Sequence, residues 1–322
     1  MAACCILKRH VPEVIPLKKL LLVLNPCAGQ RKANRVLPEI IRIFLDAGYR
    51  CETFVTAAAG DATCFVADHA AEYDRIVCIG GDGTLNETIA GMLHAGADLP
   101  IGYIPAGTTN DYANSLRLSA DVLQAARDAV EGDIIPLDVG TFNGRYFTYT
   151  ASCGAFTRAS YSTSQTMKNT LGHFAYVVEG IKDLPSLRPF HLKVETDEIA
   201  LDDDFLFCSI TNSTSVGGIL KLDSEMVALN DGRFEVLLVR NPATPLQLST
   251  ILHGLTTLDL PNEMVHFFSA RRISIDCSAP LDWTLDGERE PGAPRIEMEN
   301  RHSAVRIIIP RDRSAMEDNE DE

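Results

Sequence analysis

The chain has 322 residues, of which 46% are hydrophobic, enough to bury a substantial core and, by length, to form two domains. Forty-four acidic against 29 basic side chains give a formal net charge of −15, which argues against nucleic acid as the main partner. The acidic end MEDNEDE (316–322) reads as disordered, yet the body without its five carboxylates is still about −10.

In chain order, MAACCILKRH has no sustained apolar stretch ahead of a small-residue cleavage site, and no run of roughly 18 apolar residues occurs anywhere. The expectation is a cytoplasmic protein that touches membranes only from outside. Cys4 and Cys5 beside Lys8 and Arg9 are weak evidence of lipidation. The nine cysteines are scattered, without a CxxC pair or zinc-ligand spacing, and read as reduced thiols.

KKLLLVLNP (18–26) is a short continuous apolar run stopped by Asn-Pro, as expected of a strand buried on both faces of a parallel sheet. Helical spacing follows over 32–47, then strand at 49–56, helix at 61–73, strand at 75–81, helix at 84–95, strand at 100–105 and helix at 119–131. Alternation of this kind predicts an α/β layer with a parallel sheet over 17–134. Beyond Ile134 the texture changes to strand-like segments at 139–154, 191–203, 205–212, 232–240, 265–277, 281–288 and 303–310. They predict a second, mainly β domain over 135–310, built as a sandwich or barrel, with helices at 167–183 and 245–257 and a tail at 311–322.

Two loops carry chemistry. In GGDGT (80–84), Gly80, Gly81 and Gly83 allow close backbone approach to an anion, and Thr84 can cap the following helix. A ligand-free tight turn explains the glycines nearly as well. Asp82 tilts the balance, because a carboxylate beside a phosphate-cradling loop calls for donors or a cation such as Mg²⁺. The loop is not a Walker A motif, since GK[ST] is absent, nor a dinucleotide fingerprint, since Asn86 replaces the third glycine. IPAGTTNDYA (104–113) repeats the plan one unit later, with Asn110-Asp111 where a helix could begin. Both loops then lie at the carboxyl ends of one parallel sheet, where open α/β sheets bind ligands.

LNPCAG (24–29), GDA (60–62), GGDGTLNE (80–87), PAGTTNDYA (105–113), NDGRFEV (230–236) and LDGE (285–288) together resemble the diacylglycerol kinase catalytic-domain family, above all its soluble bacterial lipid kinases. GGDGT alone also occurs in NAD kinases and, in related form, in phosphofructokinases. The resemblance implies an ATP-dependent transfer of phosphate to a lipid hydroxyl, in a cleft between an NAD-kinase-like α/β domain and a β-sandwich-like domain. It implies nucleotide contacts from Asn25, Thr56, Gly80, Gly81, Asp82, Gly83, Thr84, Asn86 and Thr108, with Asp286 as general base and Glu288 and Asp111 in a supporting polar network.

Besides the Mg²⁺ that accompanies ATP, the resemblance implies a structural Mg²⁺ held by the Asp231 carboxylate and the carbonyls of Ala228 and Arg233. Taken without the resemblance, Asp286-Gly287 reads as a hairpin turn and Asn230-Asp231-Gly232 as a type I′ turn. One departure is Ala28, which stands where the family usually has a serine; weaker phosphate binding is the expectation. Cys27 in the same loop reads as a bystander thiol.

For the lipid side, TMKNTLGHFAYVVEGIKDL (166–184) places Leu171, Phe174, Ala175, Val178 and Ile181 at helical spacing, with Lys168, His173 and Lys182 nearby. That is either an acyl-chain wall with a cationic rim or ordinary core packing. The expected setting is the cytoplasm, with transient contact at the inner face of the membrane; a homodimer is compatible with it. An NAD kinase and a catalytically silent nucleotide- or lipid-binding regulator are the rival readings.

Overall fold

The computed structural model describes residues 17–29, 32–108, 110–154, 189–213, 215–216, 220–221, 228–279 and 281–311. The apolar run KKLLLVL forms β1 (Lys18–Leu24), buried from Leu20 onward, as a strand covered on both faces must be. The helix expected over 32–47 is instead two, α1 (Lys32–Arg35) and α2 (Leu37–Asp46). Pro38 sits at the start of α2, where its missing N–H costs nothing but cannot extend the preceding turn.

Next come β2 (Tyr49–Val55) and α3 (Asp61–His69), which ends in a 3-10 turn at Ala70–Glu72 rather than continuing to residue 73. They are followed by β3 (Arg75–Gly80), α4 (Asp82–Ala95), β4 (Pro100–Pro105), α5 (Asp111–Ser115) and α6 (Val122–Glu131). The strands are parallel in the order β2-β1-β3-β4. Ile40 and Phe44 of α2 and the alanines of α6 cover one face of this layer, packing on Leu20, Leu22, Val77 and Ile79. Helices α3 and α4 cover the other through Ala62, Val66, Leu85, Ile89 and Met92. The chain leaves β1 toward β2 on one side and returns to β3 on the other. That reversal opens a crevice at the carboxyl ends of the strands, the usual ligand position in such sheets.

The second half is mainly antiparallel. Its strands are β5 (Asp133–Phe142), β6 (Arg145–Phe147), β7 (Thr150–Gly154), β8 (Phe190–Thr196), β9 (Ala200–Thr211), the two-residue pair β10 (Ser215–Val216) and β11 (Leu220–Lys221), and β12 (Phe234–Arg240). Helix α7 (Pro245–Thr257) follows, started by a capping box between Thr244 and Gln247. Then come β13 (Val265–Ala270), β14 (Arg272–Cys277), β15 (Trp283–Leu285), β16 (Glu288–Glu290) and β17 (Arg295–Ile309). The stretch 139–154 divides where Asn143 and Gly144 both adopt positive φ, and the stretch 191–203 divides at the turn after Thr196. Phe142, Phe147, Phe205, Phe234 and Trp283 fill the core of this half.

Strand β17 joins the halves. It starts at Arg295, earlier than the 303–310 segment predicts, pairs antiparallel with β14 and β5, and then lies parallel to β4 through Arg306 and Ile307. The helix expected at 167–183, Cys4, Cys5 and the acidic tail lie outside the described residues. No helix among the described residues is long and apolar enough to cross a membrane.

Candidate active site

Three loops meet at the carboxyl ends of β1, β3 and β4. The Asn25 N–H donates to the Ile79 carbonyl at 2.9 Å, and its Nδ2 donates to Thr84 Oγ1 at 3.0 Å. The Ala106 N–H donates to the Gly80 carbonyl at 2.7 Å. At Gly107 a Cβ would come within 2.7 Å of Gly81 Cα, so the second and third loops touch backbone to backbone. Only glycine permits that approach. Helix α4 starts at Asp82 with Gly81 as its cap and no side-chain cap, so Thr84 lies inside the first turn instead of capping it. The first N–H groups of a helix have no acceptor within the helix; here the Thr84 N–H turns back to the Gly81 carbonyl at 3.0 Å, which leaves those of Asp82 and Gly83.

Thr56 closes the end of β2, its N–H donating to the Leu24 carbonyl at 3.0 Å, while Thr108 is exposed beside Gly107. Asp61 of the GDA stretch accepts from the Ala57 and Ala58 N–H groups, both at 2.8 Å. Glu87 accepts from the Gly60 N–H at 2.8 Å, tying α4 to the loop before α3.

Asp82 is buried and accepts from the Asp111 N–H at 2.8 Å and the Tyr112 N–H at 3.3 Å, so its carboxylate holds the start of α5. Burial pushes its carboxyl up to about 6, reinforced by the Asp111 and Asp286 charges and opposed by the two backbone bonds. Asp111 itself is exposed at the start of α5.

Asp286 comes from the other half. Asp286 and Gly287 have φ of 48° and 85°, the pair of positive values that a type I′ turn between β15 and β16 requires. The turn also carries a buried, fully hydrogen-bonded carboxylate. Asp286 is 6% exposed; its Oδ2 accepts from the Thr148 N–H (2.6 Å), the Thr148 hydroxyl (2.9 Å) and Asn86 Nδ2 (2.9 Å). Its Oδ1 accepts from the Tyr149 N–H (2.9 Å) and the Thr150 N–H (3.0 Å). Burial pushes this carboxyl up, while the three backbone donors and the Thr148 hydroxyl act against it by favouring the charged form. The Asn86 bond ties the start of α4 to the carboxylate of the other half.

Glu288 belongs to the same mouth. Its Oε1 lies 3.3 Å from where a Cβ on Gly83 would be, and its Oε2 pairs with Arg145 Nη2 at 3.0 Å; Arg145 also pairs with Glu290. The cradle at 148–150, the Asn86 bond to Asp286 and the Arg145 pair were invisible to sequence reading. The short stretch FTYT carries no motif, and pairings across more than 130 residues leave no local spacing.

In the NDG stretch only Gly232 takes a positive φ, so the turn is not type I′. The Gly232 N–H donates to Asp138 Oδ2 at 2.6 Å, and Asp138 Oδ1 accepts from the Ser303 N–H at 2.7 Å. Asp231 Oδ1 accepts from the Arg233 N–H at 2.9 Å, and the Arg233 carbonyl accepts from Asn300 Nδ2 at 2.9 Å. Among the described residues no three His, Cys, Asp or Glu side chains gather as a metal set. The oxygen donors nonetheless suit a hard cation, and nearby Glu235 is buried with its Oε2 unpartnered, its carboxyl pushed up to about 8 by burial and then by the Asp231 charge.

Residues 19–142 match the diacylglycerol kinase catalytic domain, and residues 150–309 match the YegS C-terminal NAD kinase beta sandwich-like domain. A putative diacylglycerol kinase structure from Bacillus anthracis superposes with a TM-score of 0.73 at 23% identity, covering 92% of this chain and 98% of its own. Likeness at that identity speaks for the fold. The diacylglycerol kinase of Staphylococcus epidermidis is 30% identical over 301 residues, 92% of this chain and 93% of the relative. The diacylglycerol kinase of Bacillus subtilis is 32% identical over 302 residues, 92% of this chain and 98% of the relative. A match of that extent, with the second half alongside the first, means that the chain belongs to the diacylglycerol kinase family of lipid kinases.

Proposed function

We propose that the enzyme transfers the γ-phosphate of ATP to the hydroxyl of diacylglycerol or a similar membrane lipid, with Asp286 as general base. The observation that carries this is the 2.9 Å bond from Asn86, in the helix that follows the glycine loop, to the buried Asp286 carboxylate. It sets the base one residue contact from the place where the α4 N-terminus would meet a phosphate.

Phosphoryl transfer needs an aligned nucleophile and neutralised charge more than a strong base. The loops supply backbone donors for the phosphates, and Thr84, fixed by Asn25, keeps the first turn of α4 in place. Five donors hold Asp286 in one orientation, more than the roughly four lone-pair sites of a carboxylate. For the acceptor hydroxyl to hand its proton to Asp286, one donor has to yield. The Thr148 hydroxyl is the donor that rotates freely, whereas the backbone N–H groups are fixed. Thr148 therefore gives way as the alcohol oxygen bonds to the γ-phosphorus, the bond to the bridging oxygen breaks and ADP leaves with that electron pair, and the hydroxyl proton passes to Oδ2.

Asp82 and Asp111 are the carboxylates that would face the Mg²⁺ accompanying ATP, which supplies charge neutralisation when bound. A second, structural Mg²⁺ would be held by Asp231 with the carbonyls of Ala228 and Arg233. Mg²⁺ is expected to raise the Tm of the wild-type protein but not of Asp231→Ala, and equal responses would remove the structural ion from the account. The acceptor is met at the inner membrane face by a protein that stays in the cytoplasm.

The direct test offers radiolabelled ATP and Mg²⁺ with mixed micelles of diacylglycerol, monoacylglycerol, ceramide, sphingosine or phosphatidylglycerol, with NAD in parallel. Label in a lipid supports the reading. Label in NAD alone would make the protein an NAD kinase.

A further inference from the structure

On the sheet face opposite the aromatic core, the register brings four hydroxyls together. Thr150 of β7 stands opposite Thr211 of β9, and Ser152 stands opposite Ser209, so two successive rungs present hydroxyls on one face. Their neighbours Ala151, Cys153, Cys208 and Ile210 point into the aromatic core on the other side. All four residues are buried, at 6%, 0%, 6% and 0% exposure for Thr150, Thr211, Ser152 and Ser209. Farther along the same face the character changes to apolar, where Phe207, Leu237 and Val239 pack with Ile251 and Leu255 of α7.

Two of the hydroxyls, Thr150 Oγ1 and Ser209 Oγ, have no hydrogen-bond partner among the described residues, although Thr211 Oγ1 donates to the Ser213 carbonyl at 3.2 Å. Buried side-chain hydroxyls nearly always find a partner, because leaving one unpaired costs stability. Two such groups on adjacent strands mark a place kept polar for something else. That place adjoins the base: Thr150 and Asp286 are clasped in both directions, the Thr150 N–H on Asp286 Oδ1 at 3.0 Å and the Asp286 N–H on the Thr150 carbonyl at 2.9 Å.

We infer that this hydroxyl face is the acceptor subsite, in which Thr150 and Ser209 donate to the ester carbonyl oxygens of a glycerolipid whose free hydroxyl meets Asp286. This rests on the lipid-kinase reading above. Ester carbonyls are acceptors without a donor of their own, which is what two unpaired hydroxyls lack. An ether lipid of the same shape offers neither carbonyl.

The test compares 1,2-dioctanoylglycerol with its di-O-octyl ether analogue, in mixed micelles, for the wild-type enzyme, Thr150→Val, Ser209→Ala and the double variant. For the wild type the ether should have a KM about a hundredfold above the ester, the size of two lost hydrogen bonds to buried groups at about tenfold each. Each variant should raise the ester KM about tenfold and leave the ether and ATP KM values in place. Thr150→Val should keep or raise Tm, because it replaces an unpaired buried hydroxyl by a methyl of the same shape.

An unchanged ester KM in both variants overturns the subsite while leaving the kinase intact, as does a parallel rise in the ATP KM. Phosphorylation of a long-chain amino alcohol in preference to either glycerolipid also overturns it. No transfer from the wild-type enzyme to any lipid overturns the kinase reading and takes the subsite with it.

Discussion

The start of α4 and the stretch 148–150 each turn several backbone N–H groups toward one point, and they use them in opposite ways. At α4 the Thr84 N–H already turns back to the Gly81 carbonyl at 3.0 Å, but those of Asp82 and Gly83 precede any helical acceptor, so an anion from solution can occupy them. At 148–150 the acceptor is built in: the Asp286 carboxylate takes three N–H groups and a hydroxyl. The first arrangement requires glycine for close approach. The second requires a non-glycine residue to sit at φ 48°, a strain that Asp tolerates better than most residues. The difference lies in where each acceptor comes from: the β half carries its own carboxyl group, pushed up by burial, whereas the first turn of α4 leaves backbone donors open, and Asn86 links the two.

The largest effect comes from emptying the built-in nest of its charge. Asp286→Asn should cut turnover by roughly 10²–10⁴-fold with the fold retained, since Asn also accepts positive φ. Turnover under a phosphate-transfer assay together with circular dichroism checks both halves of that statement, and full activity would refute the base assignment.

Spoiling the other nest should act on nucleotide rather than on chemistry. Gly107→Ala forces a Cβ against Gly81 and should cost about 1–3 kcal/mol, with a raised ATP KM and a kcat that falls less. Asp82, between the two, should show itself in pH dependence. Its carboxyl titrates near 6 in the folded protein against about 3.9 unfolded, so the stability it contributes is fully present below about pH 4 and is lost as pH rises through about 6. Without nucleotide, Tm measured from pH 4 to 7 should fall less steeply for Asp82→Asn than for the wild type. The smallest effect belongs to Gly287→Ala, where φ is 85° and a Cβ would meet only the Tyr149 hydroxyl, at an ordinary contact distance of 3.8 Å. A loss of about 1 kcal/mol by denaturant titration is expected, from backbone conformation alone.

Much of the α/β half was legible because its signals are local. Leu20 to Leu24 had to be covered on both faces, and a glycine loop between a strand and a helix presents donors whatever lies beyond. The break at Pro38 was legible in principle from the same rules, but the periodicity on either side of it spoke louder. The β half was legible as texture only. Nothing in LDGE taken alone separates a hairpin turn from a catalytic carboxylate, since Asp286-Gly287 is the residue pair that a type I′ turn favours. What the structure adds is that Thr148, Tyr149 and Thr150 aim three N–H groups at the Asp286 carboxylate, and that arrangement exists only after the strands have paired. Arg145 was unreadable for a like reason: its partners Glu288 and Glu290 lie more than 140 residues away.

Strand β17 has a consequence for how the enzyme is made. The open edge of the nucleotide layer at Pro100 and Ile101 receives Arg306 and Ile307, residues synthesised about two hundred positions later. During translation, therefore, β4 waits with an unsatisfied edge until most of the chain has left the ribosome. The glycine loops that end β3 and β4 gain their final support only when the β half is already present. A nascent chain should thus lack the completed loop cluster at the ends of β3 and β4 until its β half is present, so neither half is finished apart from the other.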